Sequence, residues 1–197
     1  LQQIIFYLNP ALEVQSITNN QQAVSFDRDN QLILVHKPLP AQQELFLEIQ
    51  YAGAIDEKIC YTDIPDSLYW DNTIQDQDVP YQYGKRYAWL EENFTLLTPE
   101  CLWYPVTIPP VNPESPYHIQ RNFSQYQLTV KYSGNKTVLS QGKGVLDNGK
   151  ITFTPSTPLS GISLTIADYE KRAITVDSID YELLYFKGHD YFSSYFT

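Results

Sequence analysis

Apolar residues in this chain recur at every second position, and nowhere at the three-to-four spacing of an amphipathic helix. Leu45, Leu47 and Ile49 alternate with Phe46, Glu48 and Gln50, and side chains two apart share a face only in an extended strand. Further strands are expected over residues 12–16, 23–26, 126–132, 137–140, 151–154, 162–166, 172–176 and 181–185. Ile17 shifts the phase of the first of these. Leu32, Leu34 and His36 alternate with Ile33 and Val35, so this strand is apolar on both faces and belongs at the centre of a sheet. Turn residues punctuate the pattern: Asn19-Asn20-Gln21, Asp27-Arg28-Asp29-Asn30, a hairpin turn at Ser133-Gly134-Asn135, then Gly142, Gly144 and Asp147-Asn148-Gly149. The first part of the chain reads as an antiparallel meander rather than a βαβ unit. The fold class is therefore all-β, two or more packed antiparallel sheets, with under about a tenth of the chain in helix.

A chain of 197 residues can bury a substantial core as one large β domain or two small ones. With 13 Lys+Arg against 23 Asp+Glu, the net charge of −10 argues against nucleic acid and against an anionic membrane surface. The acidic residues are dispersed, as on a solvated face. No apolar run approaches the roughly 20 residues that cross a bilayer, so direct membrane insertion is not expected of this segment. The start, LQQIIFYLNP, has neither the basic flank nor the cleavage site of a signal peptide, and a start at Leu is that of a chain processed or cut from a larger one. Cys60 and Cys101 are either two buried thiols or one disulfide, which would close a loop of about 40 residues and contribute roughly 3–4 kcal/mol.

The functional candidates gather in residues 93–116, NFTLLTPECLWYPVTIPPVNPESP, which hold six of the 13 prolines. Cys101-Leu102-Trp103-Tyr104-Pro105 is apolar, yet proline on both sides forbids a helix through it. Such a segment packs across a core or around a site. Residues 67–83, with Tyr69, Trp70, Tyr81 and Tyr83, read as a surface excursion. Residues 189–197 read as a tail leading to a further domain, which leaves residues 1–188 as the β domain. Chemistry is sparse. His36, His118 and His189 are scattered, with no His-Glu-x-x-His, and no Gly-x-Ser-x-Gly elbow or phosphate-loop glycine spacing occurs. Glu91-Glu92 and Asp76 with Asp78 read as solvated charge rather than an acid/base pair. No catalytic residue and no metal ligand is assigned.

The order of segments carries a resemblance. Leu12-Glu13-Val14, Ala23-Val24-Ser25-Phe26, Gln31-Leu32-Ile33-Leu34-Val35, Pro38-Leu39-Pro40 and Leu45 through Gly53 resemble the opening of the M1 (gluzincin) aminopeptidases. Gln127-Leu128-Thr129-Val130 and residues 151–169 are similar to later segments of the same N-terminal domain, so the likeness covers residues 11–185. In that family the centre of the domain runs approximately Ala-Arg-x-x-Phe-Pro-Cys-Phe-Asp-Glu-Pro. Here Tyr104-Pro105 stands at the Phe-Pro position and Pro109 near the last proline, while the Ala-Arg pair and the Cys-Phe-Asp-Glu run are replaced. The divergent centre is similar to M1-like portions fused to ABC-transporter permeases in bacteria.

The resemblance implies a saddle-like sandwich of antiparallel sheets and a non-catalytic role beside a C-terminal catalytic domain of the same polypeptide. It implies zinc in that missing domain, none in this chain, and an extracytoplasmic, periplasmic or cell-surface, location. It also implies that Glu100, Trp103 and Tyr104 line the substrate cleft, with a peptide as substrate. From the residues alone, Trp103 and Tyr104 equally plug a seam between two sheets. The alternative function is a free-standing β-sandwich holding glycan or protein on Trp70, Tyr81, Tyr83, Trp89 and Trp103.

Overall fold

The computed structural model describes residues 2–39, 44–59, 86–108 and 122–195. Among these, the chain is antiparallel strand joined by turns and two single-turn 3-10 helices, with no α-helix. The all-β reading therefore holds. In chain order, β1 (Gln2–Tyr7), β2 (Leu12–Asn19), β3 (Gln22–Ala23), β4 (Phe26–Asp29), β5 (Leu32–Leu39) and β6 (Glu48–Gly53) build the N-terminal half. β7 (Ala88–Leu90), β8 (Phe94–Leu97), β9 (Leu128–Lys131), β10 (Thr137–Ser140), β11 (Lys143–Asp147), β12 (Lys150–Thr154) and β13 (Leu164–Ala167) build the second half. A ribbon of β14 (Glu170–Val176) and β15 (Ile179–Tyr185) follows.

Two three-stranded sheets, β1-β5-β4 and β3-β2-β6, face each other in the first half. β5 is central, as its two apolar faces require: Ile33 pairs with Phe6 and Arg28, and Val35 with Ile4 and Phe26. Leu8, Leu12, Ile17, Ile33 and Val35 form a buried cluster to which both sheets contribute. The phase shift at Ile17 is a β-bulge. The β2–β6 register slips between Val14 and Ser16, so Leu12, Val14 and Ile17 all reach the core despite their odd spacing. In the second half the sheets β10-β13-β8-β7 and β11-β12-β9 enclose Ala88, Leu97, Cys101, Val138, Phe153 and Leu164. Between the halves lie Ile59 and Leu102, both fully buried against Tyr7, Tyr87 and Val106. Burying a leucine side chain of this kind contributes about 1.5–3 kcal/mol.

Several sequence expectations are corrected. The first half is no sequential meander, because β6 returns to β2 and β1 pairs with β5. Residues 27–29 are not turn but β4, whose Asp27 and Asp29 face outward while Phe26 and Arg28 are half-buried. Ser133-Gly134-Asn135 is no hairpin turn, since β9 and β10 belong to opposing sheets and the connection crosses between them. β1 and β11 lie outside the expected strands, and β8 lies inside the stretch read as loop. Gly144 interrupts the apolar pattern in β11 because it faces Phe153. A Cβ there would come within 2.8 Å of the Phe153 ring.

Three two-residue turns carry both central residues at positive φ: Asn20-Gln21, Asn148-Gly149 and Asp177-Ser178. That is the backbone twist tight hairpins need. Gly53 ends β6 at φ 144°, and a Cβ there would sit 2.6 Å from the Ala11 carbonyl. Gly53→Ala is therefore expected to cost about 1–3 kcal/mol. The midpoint of urea denaturation checks this, and an unchanged midpoint contradicts the strained backbone at residue 53.

Candidate functional site

Asn9 sits at the junction of everything near the central turn. It follows β1, precedes Pro10, and is fully buried. Its Nδ2 donates to the carbonyls of Cys101 (2.8 Å) and Asp56 (3.0 Å). Its Oδ1 accepts from the backbone N–H of Ala11 (3.1 Å) and of Asp56 (3.0 Å). Its own N–H donates to Leu102 O at 2.8 Å. The Arg28 guanidinium, held below its usual pKa by burial, donates to the carbonyls of Leu8 (3.1 Å) and Asn9 (3.0 Å). One amide thus satisfies backbone from three separate segments, which is the condition for burying it at all.

The segment it grips is a 3-10 turn over Pro99–Cys101. Proline at its first position loses no hydrogen bond, because that N–H would be unpaired in any helix. The same proline that rules out an α-helix through the stretch therefore starts a single turn. The turn closes on Leu102 at φ 53°, ψ 41°, whose N–H donates back to Pro99 O. A fully buried leucine in the left-handed region is uncommon and costs roughly 1–3 kcal/mol. The Asn9 bond to its carbonyl and its place between the two halves hold it there.

Trp103 and Tyr104 follow directly and are half-buried. Trp103 Nε1 donates to Ile162 O at 3.3 Å, and Ile162 N–H donates to the Tyr104 hydroxyl at 3.0 Å. The two aromatics hold both backbone groups of one residue on a segment outside any strand. Their rings meet edge to face at 4.9 Å, and Tyr104 meets Tyr126 at 5.9 Å. Tyr51 Oη donates to Trp103 O at 3.2 Å. Gly161 lets Pro99 approach: a Cβ there would fall 2.7 Å from Pro99 Cγ and 3.2 Å from Tyr104 Oη. The seam itself is filled by Leu102 and Ile59, whereas Trp103 packs on the core of the second half.

The electrostatics are those of a packed site. Burial pushes the Cys101 thiol up to about 12, with Glu100 nearby adding to the effect. Burial likewise raises the Tyr104 and Tyr51 hydroxyls. A thiol in that state stays protonated at neutral pH and behaves as a small apolar group. Glu100 is half-buried on the turn. Glu100 lies within the turn, and Trp103 and Tyr104 follow it directly. Cys60, and with it the Cys60–Cys101 pairing, lies outside the described residues, as do His118 and all of residues 67–83, Trp70, Tyr81 and Tyr83 among them. Among the described residues Cys101 has no disulfide partner. Trp89 carries the Arg86 guanidinium over its ring at 5.5 Å, and Arg86 pairs with Glu57 and Glu91. Among the described residues no three of His, Cys, Asp or Glu converge as a metal site would require. The residues that sequence reasoning missed are Asn9, Arg28, Tyr51, Gly161 and Ile162. Only Asn9-Pro10, a turn-forming dipeptide, carried a local signal.

Two outcomes are expected. Trp103→Ala should cost about 3 kcal/mol of stability or more, and Trp103→Phe only about 1, the worth of the lost bond to Ile162. Chemical denaturation of the two variants measures the difference. The second concerns pH. Because folding raises the Cys101 pKa to about 12, the folded state binds more protons than the unfolded one above pH ~9. Stability from this group is full below the unfolded value and falls as pH rises toward the folded one, by at most about 1.4 kcal/mol per pH unit. Cys101→Ala should flatten that slope between about pH 9 and 11, where denaturation curves of the two proteins are compared.

No protein-family model matches the sequence, and no curated protein does. Solved structures match it through fold. A two-domain M1 zinc metallopeptidase mutant crystallised with L-tryptophan is 16% identical, with a TM-score of 0.59 over 92% of this chain and 39% of that one. The M1 zinc metallopeptidase of Deinococcus radiodurans is 17% identical, with a TM-score of 0.59 over 88% of this chain and 36% of its own. Aminopeptidase A of Legionella pneumophila is 10% identical, with a TM-score of 0.58 over 93% of this chain and 20% of its own. The present chain thus spans well under half the length of each. At such identities the likeness is one of architecture, and the architecture is that of the N-terminal β-domain of M1 peptidases.

Proposed function

We propose that this chain is the non-catalytic β-domain of an M1-like zinc metallopeptidase, and that it packs on a catalytic domain and forms one wall of its substrate cleft. The observation that carries the reading is the fold likeness, which takes in about nine-tenths of this chain and a fifth to two-fifths of zinc peptidases. The metal would belong to the remaining portion of such a peptidase. In this reading residues 1–188 are the domain and residues 189–197 lead onward.

The central turn supplies the wall. Trp103 and Tyr104 present rigid apolar surface that is fixed through Ile162 and cannot swing away. Glu100, on the same turn, supplies a carboxylate for a substrate ammonium or a cationic side chain. Its role is to bind and orient a peptide and to exclude water, not to move protons. We also propose an extracytoplasmic location in a bacterial membrane protein of the permease-fusion type, on the strength of the divergent centre of the domain. No helix among the described residues is long and apolar enough to cross a membrane.

Steady-state kinetics of the parent polypeptide on aminoacyl and dipeptide substrates test the wall. Glu100→Gln is expected to raise KM for substrates with a free N-terminus by about tenfold, one carboxylate hydrogen bond's worth, with kcat little changed. This chain alone, with zinc added, is expected to hydrolyse none of them. Unchanged KM in both Glu100→Gln and Trp103→Phe, or hydrolysis by the isolated chain, overturns the proposal.

A further inference from the structure

The β14–β15 ribbon is the one sheet among the described residues with only two strands. Its register sorts the side chains. Residues directly opposite one another project to the same side, so Glu170 with Tyr185, Arg172 with Leu183, Ile174 with Tyr181, and Val176 with Ile179 share one face. Lys171, Ala173, Thr175, Asp180, Glu182 and Leu184 share the other. The second face is closed upon itself: Lys171 pairs with Glu182, and Thr175 Oγ1 donates to Asp180 at 2.7 Å. Toward the hairpin end the first face is apolar and open, with Val176, Ile179 and Tyr181 exposed at 47%, 55% and 44%.

A two-stranded ribbon is marginal in water unless an apolar face is covered. The chain that follows it points to the cover. Arg172, on the apolar side, donates to Ser193 O at 3.3 Å and draws in the 3-10 turn over Ser193–Tyr195. Ser193 is buried by that contact, while Tyr191, Phe192 and Tyr195 around it are exposed at 70%, 72% and 83%. Open aromatic surface thus continues from the ribbon to residue 195. Polypeptide leaving that point starts on the patch, at the high effective concentration that a short tether provides.

We propose that this apolar face, continued by Tyr191, Phe192 and Tyr195, is the surface on which the domain following in the same polypeptide docks. The proposal rests on the reading of the chain as one domain of a longer peptidase. The partner surface it requires is apolar where it meets Ile174, Val176, Ile179 and Tyr181; the charges of this face, Glu170 and Arg172, lie at the other end of the ribbon, where Arg172 already donates to Ser193 O. Such a contact is of the obligate kind, and salt should leave it intact.

Hydrogen exchange over residues 170–185, compared between the isolated chain and the parent polypeptide, tests it. Exchange is expected to be at least about tenfold slower in the parent. The double variant Val176→Glu/Ile179→Lys keeps a cross-strand attraction in the ribbon but makes the face polar. It should leave the isolated chain's melting temperature within about 2 °C, since both positions are half-exposed, and abolish the protection in the parent. Equal exchange in the two proteins, protection that survives the double variant, or a gene product that ends at residue 197 overturns the proposal. A dimer of the isolated chain in light scattering that the double variant dissolves overturns it in favour of a second copy. A protected ribbon in a parent without metallopeptidase activity would sink the proposed function alone, and an unprotected ribbon in an active zinc peptidase would sink the docking surface alone.

Discussion

The molecule depends on one buried amide. Asn9 uses both side-chain donors and its acceptor on backbone groups of Cys101, Asp56 and Ala11, far apart in sequence. An amide buried without partners costs several kcal/mol, so its network either forms whole or opposes folding. Formed whole, it fixes where the first sandwich ends and where the central turn begins. Leu102 then occupies the space between the halves in a conformation its side chain disfavours, because the Asn9 N–H and the surrounding core leave it no other place.

From that anchor the rigidity passes outward through two aromatics. Trp103 and Tyr104 hold the carbonyl and the N–H of Ile162, residues that no strand would otherwise satisfy. This segment lies between the ladder of β12 and that of β13, so its backbone polarity must be met by side chains. The same arrangement packs the core and would suit the proposed cleft wall. A surface that meets a substrate must not yield to it, and these rings are tied at one end to the core and at the other to backbone.

The ribbon at the C-terminal end follows the opposite logic. Where the central turn is tied into the chain through Asn9 and Ile162, the ribbon closes only one of its faces. Its polar side is complete in charge and hydrogen bonds, and its apolar side is complete only against something else. The tightly bonded and the open parts of the molecule therefore lie at different places, and the two proposals divide with them: shaping at the turn, assembly at the ribbon.

What the sequence determined by itself is the part of the structure set by local patterning. Alternation in residues 32–36 dictated a strand and the centrality of β5, that in 44–51 found β6 although the strand begins only at Glu48, and the odd step at Ile17 marked a bulge, because side-chain direction in a strand depends only on neighbours. Glu100, Trp103 and Tyr104 are neighbours along the chain, so their nearness needed no tertiary structure. Tertiary structure alone decided the rest. The residues 133–135 look like a hairpin turn, yet β9 and β10 part to different sheets, because burying both apolar faces outweighs the gain from closing a short loop. Gly144 looked like a break, and Phe153 across the sheet made it a strand. Asn9 showed nothing beyond a turn before proline, since its partners stand 47 and 92 residues away. A buried hydrogen-bond network has no period along the chain, and only folding brings its members together.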